Sequence, residues 1–127
     1  MAQIDAALAG YRQFGLRTAA GIWLSAKGRA LAAAGRAEEA RVAIDEARHE
    51  IVEHGEHYTE NLLLEAEAFL ARAVGDDHAR VAERLQAAWD LALEQGSFGS
   101  LRRLEAAAIE LGVELDRREE GAARVAE

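Results

Sequence analysis

The densest group of chemically capable side chains is His49-Glu50-Ile51-Val52-Glu53-His54-Gly55-Glu56-His57. Histidine and glutamate are metal ligands and proton carriers, so a metal site is the first chemistry to test here. The zinc-protease pattern needs two histidines four residues apart, so that both face one way, with a glutamate beside the first. His49 and His54 are five apart, which puts them roughly 140° out of register on a helix. His49 and Glu53 do share a face, and His57 has to fold back beyond Gly55 to join them. The simpler expectation is that His54 and His57 sit near a helix C-terminus, where positive charge is favourable. A small-ligand or metal sensor using the His49–His57 region, or a pocket between helices, stands as the alternative function.

Other reactive groups lack context. Ser25 falls in the middle of an apolar helix, and Ser97 and Ser100 are turn residues that suit helix capping. Gly96-Ser97-Phe98-Gly99-Ser100 is glycine-rich, but no strand precedes it and no Gly-Lys-Ser/Thr follows, so it reads as a loop. Trp23 and Trp89 suit helix packing better than a ligand cage. The acidic residues read as a solvated face. The expectation is a protein that is not an enzyme and has no cofactor.

The elements that carry these residues are helical. The chain of 127 residues has no proline and no cysteine. That length suits one domain, and the composition favours helix and excludes disulfides and thiolate metal sites. A net charge of −8, with both signs interspersed, disfavours nucleic acid and anionic membranes as partners. No apolar run approaches the ~20 residues of a membrane span. The start, MAQIDAALAG, lacks the basic region of a secretory signal. A cytoplasmic location is the expectation.

Three helix ends read alike: Phe14-Gly15, His54-Gly55 and Gln95-Gly96. Counting back from each, the same apolar stripe recurs as Ile4, Ala7, Tyr11, then Ile44, Ala47, Ile51, then Leu85, Ala88, Ala92. These are three copies of one helix, B. Between them lie helices of a second kind, A, from about Thr18 to Ala34 and from about Thr59 to Val74. A third A helix runs from near Ser100 to Leu111. The A helices are apolar nearly all round, so they must be covered on several sides, whereas each B helix has one apolar stripe and one charged face. The order B-A-B-A-B-A predicts a stack of helical hairpins, five to six antiparallel helices in all. A compact helical bundle is the alternative. Residues 1–112 form this domain, and 113–127 read as a charged tail, frayed or disordered beyond about Arg118.

The segment Leu24, Gly28, Leu31, Gly35, Ala40, Ile44 and Ala47 resembles a tetratricopeptide repeat (TPR), and the match is weaker from Leu62 to Ala88. The long period, Gly55-Glu56-His57-Tyr58 and the following Glu60–Leu70 stretch look like the C-terminal helical repeats of large bacterial signalling proteins. In those, a nucleotide cyclase or transcription-factor module is joined to an AAA-type ATPase and then to repeats. Lys27 and Glu65 depart from the pattern, standing where the repeat usually has leucine, and Ala66 replaces its small glycine.

The resemblance implies a non-catalytic scaffold that binds a protein, a peptide or other domains of the same polypeptide on a concave face of A helices. By the repeat's usual geometry Ser25, Arg29, Glu60, Leu63, Glu67 and Leu70 point there. The first B helix has no A helix before it, and the last A helix has no B helix after it. The expectation is a segment of a longer protein, or one whose open ends pack on another copy as a homodimer. Leu8, Tyr11 and Phe14 at one end, and Leu101 and Ile109 at the other, are the candidate self-association residues.

Overall fold

Without proline, and with alanine and leucine abundant, little interrupts helix propagation along the chain. The computed structural model describes residues 2–13 and 20–117, with side chains for all of these except 10–13. Six α-helices occupy them: α1 (Ala2–Gln13), α2 (Ala20–Ala33), α3 (Ala37–His54), α4 (Glu60–Ala73), α5 (His78–Glu94) and α6 (Phe98–Leu111). A 3-10 turn at His57–Thr59 leads into α4. No strand occurs among the described residues, and the fold is all-α. The expected helix end at Phe14-Gly15, the side chain of Tyr11 and the tail from Arg118 lie outside the described residues.

The helix ends share one device. Gly35, Gly55, Gly75, Gly96 and Gly112 all have positive φ. The residue after each glycine donates its N–H to a carbonyl five residues back: Arg36 to Leu31, Glu56 to Ile51, Asp76 to Ala71, Ser97 to Ala92 and Val113 to Ala108. This closure satisfies carbonyls that the helix itself leaves open, and glycine takes the left-handed conformation at least cost. At the helix starts, Asp77 accepts from the Arg80 N–H at 2.9 Å and caps α5. Ser97 does not cap α6; its hydroxyl pairs with that of Ser100 at 2.6 Å instead.

The turns reverse the chain. In α2, Gly28 lies against Ala40 and Ile44 of α3 while the earlier Gly21 lies against Ile51, so α2 and α3 run antiparallel. An ideal Cβ on Gly28 would sit 2.6 Å from Ile44 Cγ1, so glycine sets how close the two helices come. Helix α4 packs on α2, α3, α5 and α6, and α6 packs on α4 and α5. Thus α2, α4 and α6 lie side by side, with α3 against α2 and α5 against α4. Helix α1 packs on α2, where Asp5 meets Lys27 at 2.6 Å. The Lys27 hydrogen bond holds the Asp5 carboxyl below its ordinary value.

The core has two apolar clusters. One joins α1, α2, α3 and α4 through Leu8, Leu24, Ile44, Ile51 and Leu63; the other runs from Leu31 through Phe69, Leu85 and Trp89 to Leu104 and Leu111, and Leu70 touches both. Val81, Leu85, Ala88, Trp89 and Ala92 of α5 are all 0 % exposed, and full burial of a Val or Leu side chain contributes roughly 1.5–3 kcal/mol. Residues 113–117 add no further helical turn. They leave the Gly112 reversal without regular secondary structure, with Val113 buried and Leu115 half-buried against the second cluster.

Candidate functional site

Glu65 is a buried carboxylate in the middle of α4. On α4 the residues Asn61, Glu65, Phe69 and Arg72 are four, four and three apart, so they share one side of the helix. That side meets α2 and α6. Glu65 is 1 % exposed, and burying a carboxylate is costly unless its charge is matched. Two arginines match it. Arg103 of α6 donates from Nε to Oε1 at 2.6 Å. Arg29 of α2 brings its Nε within 2.7 Å of Oε2 as an ion pair, with the N–H not aimed as a hydrogen bond.

The network continues outward. Arg103 Nη2 donates to Asn61 Oδ1 at 2.7 Å, Asn61 Nδ2 to Gln95 Oε1 at 3.2 Å, and Gln95 Nε2 to the His57 carbonyl at 3.2 Å. The Arg29 guanidinium lies 4.2 Å from the Phe69 ring centroid, a favourable cation–π distance. Its Nη2 also pairs with Glu110 of α6 at 3.2 Å. Arg72 donates to the Leu111 carbonyl at the end of α6, where the helix dipole favours a cation. Polar groups from α2, α4 and α6 therefore meet at one place. Arg29 and Arg103 keep about a third of their side chains exposed, at 33 % and 34 %. Arg103 Nη1 also donates to Ser100 Oγ at 3.4 Å, and the guanidinium N–H groups not used within the chain are of the kind that suits a planar acidic group.

The six residues expected on a concave face do not share one surface. Arg29 joins the Glu65 cluster. Ser25 and Leu63 are buried. Glu60 begins α4 beside His57. Glu67 faces away from Glu65: it pairs with Arg48 of α3 and, at 3.3 Å, with Arg84 of α5. Glu67 and Leu70 line a cleft of about 280 Å³ with Arg41, Arg48 and Asp76. The cause is angular, since residues two apart on a helix point roughly 200° apart. The side of α4 that meets both α2 and α6 carries Asn61, Glu65 and Phe69 rather than Glu60 or Glu67, while Leu63 packs in the cluster with Leu24 and Ile44 and Leu70 lies between the two clusters. Leu8 and Leu101, expected at open ends, are buried within the chain at 4 % and 0 % exposure. Each lies on a helix face that packs inward. Of the described self-association candidates Ile109 alone projects outward, at 81 %. Phe14 lies outside the described residues, as does the Tyr11 side chain.

The histidines do not converge. His49 pairs with Glu53 at 3.0 Å and His54 with Glu50 at 3.0 Å, each one turn forward or back on α3, and His57 lies 4.0 Å from Glu60. Among the described residues, no three His, Cys, Asp or Glu side chains come together to hold a metal ion. Trp89 is buried in the core. No helix among the described residues is long and apolar enough to cross a membrane.

Sequence reasoning does not single out Asn61 or Arg103 as site residues, although Glu65 does stand out as a departure from the repeat. An acidic residue in an apolar helix requires a buried partner, and that is the signal that points to this site. The chain matches no protein-family model, no curated protein and no solved structure.

Proposed function

We propose that the chain is a TPR-like helical-hairpin segment that acts as a non-catalytic interaction scaffold, taking a protein, a peptide or another domain on the face where α2, α4 and α6 meet. The observation that carries this reading is the pair of partly exposed arginines, Arg29 and Arg103, held by the buried Glu65. Fixing their inner edges on one carboxylate lowers the ordering cost of presenting their outer edges to a partner. The side-by-side packing of α2, α4 and α6 agrees with a stack of hairpins. The resemblance of the sequence to the C-terminal helical repeats of large bacterial signalling proteins supports a scaffold that belongs to a larger regulatory polypeptide. The exposed Ile109 supports a homodimer as one form of association.

The test is fluorescence polarisation with a set of short labelled peptides, acidic, neutral and basic, each with a free or amidated C-terminus. Acidic peptides bind preferentially, and Arg103→Lys weakens them by about tenfold, or 1.4 kcal/mol, because the ammonium keeps the charge but loses the planar fork. Equal binding of all peptides, or indifference to Arg103→Lys in a folded variant, refutes the reading.

A further inference from the structure

The end of the helix row carries a second feature, independent of the arginine face. After Gly112 the chain runs over α5 without helix, burying Val113 and half-burying Leu115 while Glu114 and Asp116 stay exposed, and is held there at three points. Val113 and Leu115 pack on the cluster that contains Trp89. Gln86 exchanges two hydrogen bonds with the backbone of residue 116: Asp116 N–H donates to Gln86 Oε1 at 2.8 Å, and Gln86 Nε2 donates to the Asp116 carbonyl at 3.1 Å. The Arg117 guanidinium lies 5.6 Å from the Trp89 ring centroid and 4.0 Å from Glu105.

The Gln86 contact reads backbone, whereas the other two read the side chains of Val113, Leu115 and Arg117. A side-chain amide that accepts from the N–H and donates to the C=O of one residue reproduces the paired bonds that a neighbouring β-strand makes. Asp90, one turn on in α5, accepts from Gln86 Nε2 at 2.9 Å and so fixes which way the amide points. Gln86, Trp89 and Asp90 form one stripe of α5 at spacings of three and four. The stripe offers, in order, a backbone clamp and an aromatic face for a cation. Val113, Leu115 and Arg117 are two apart, which is the period of an extended strand.

We propose that the Gln86–Trp89–Asp90 stripe with Glu105 is a receptor for an extended peptide of the pattern apolar-x-apolar-x-basic, and that residues 113–117 are its resident occupant. Because the clamp reads backbone, the site accepts any segment that carries the two apolar residues and the cation at this spacing. The resident copy is tethered through Gly112 and competes at an effective concentration on the order of millimolar. It therefore gates the site, and a partner segment enters only when the strap leaves.

The test uses the full chain and a labelled synthetic peptide corresponding to residues 112–117, read by fluorescence anisotropy. Leu115→Asp detaches the strap, and Asp116→Pro does so by removing the N–H that Gln86 accepts. Both variants bind the peptide about tenfold or more tightly than the unaltered protein, since the tethered competitor is gone. Gln86→Ala added to either lowers that binding about fivefold or more, with Asp90→Asn a weaker effect in the same direction. Far-UV circular dichroism checks the fold. Peptide binding that is equally weak in folded variants and in the unaltered protein overturns the proposal, as does insensitivity to Gln86→Ala. Loss of fold in both strap variants overturns it too, because the segment is then an inseparable part of the core.

Discussion

Replacing Glu65 by glutamine perturbs the centre of the α2–α4–α6 contact with almost no change of shape. Glu65 sits 2.7 Å from Arg29 Nε and 2.6 Å from Arg103 Nε and is 1 % exposed. Glutamine removes the charge that both arginines share and turns one acceptor oxygen into an N–H₂ facing a guanidinium donor. Removing one side of a fully buried pair costs about 3–5 kcal/mol. Here the two stranded arginines are 33 % and 34 % exposed, and partial access to water reduces the penalty to about 2–4 kcal/mol. For a chain of this size that lowers Tm by roughly 6–20 °C. The neighbouring Glu110→Gln breaks only the Arg29–Glu110 pair, whose carboxylate is 54 % exposed, and costs at most about 1 kcal/mol.

A third variant separates charge from geometry. Arg29→Met, Glu65→Leu and Arg103→Met together replace the cluster with apolar groups, and buried ion triads replaced in this way are often neutral or stabilised. The triple variant recovers most of the loss seen in Glu65→Gln. Thermal and urea melts followed by far-UV circular dichroism measure all three. A Glu65→Gln melt indistinguishable from the unaltered protein refutes the argument that the carboxylate holds the three helices. A triple variant as unstable as the single one shows that stranded charge is not the cause.

Three further predictions rest on other parts of the fold. Gly28→Ala gains about 1 kcal/mol of helix propensity but drives a Cβ to 2.6 Å from Ile44 Cγ1, so it destabilises by a net of about 1–2 kcal/mol. In contrast, Gly99→Ala in α6 meets nothing within 4 Å and gains up to about 1 kcal/mol; equal melts for the two would show that Gly28 is not at a close crossing. The Asp5 carboxyl titrates below its ordinary value because Lys27 hydrogen-bonds to it, so its contribution to stability is full above the unfolded pKa and is lost as pH falls through the folded one. Carbon-detected NMR titration reads this, and Lys27→Met returns Asp5 to its ordinary value. Ile109→Glu places a charge at an 81 % exposed position: in a monomer it shifts stability by no more than about 0.5 kcal/mol, whereas a dimer built on that face falls to monomer mass by sedimentation.

The helices are legible in the sequence because their signals are local. Ile44, Ala47 and Ile51, and likewise Leu85, Ala88 and Ala92, are buried as their spacing predicts. The same backbone closure requires a glycine at each of five helix ends, so Gly55 and Gly96 align by spacing alone. Capping is legible where one side chain suffices, as at Asp77. It is not legible at Ser97, whose hydroxyl has a competing neighbour in Ser100.

The site is less legible because it is made by three helices far apart in sequence. Arg29 and Glu65 are joined across two turns and a helix, and Glu65 and Arg103 across the same distance again. Helix periodicity says which residues share a side, but it does not say which neighbour that side meets. Glu65 and Glu67 are the same residue type and two residues apart, and yet one turns to Arg29 and Arg103 while the other turns to Arg48 and Arg84. Helix α4 thus carries an acid on each of two opposite sides, and each acid is held by arginines from two different helices. A carboxylate buried in a largely apolar helix departs from simple packing. A buried acid there commits the neighbouring helices to supply cations, as α2 and α6 do for Glu65 with Arg29 and Arg103.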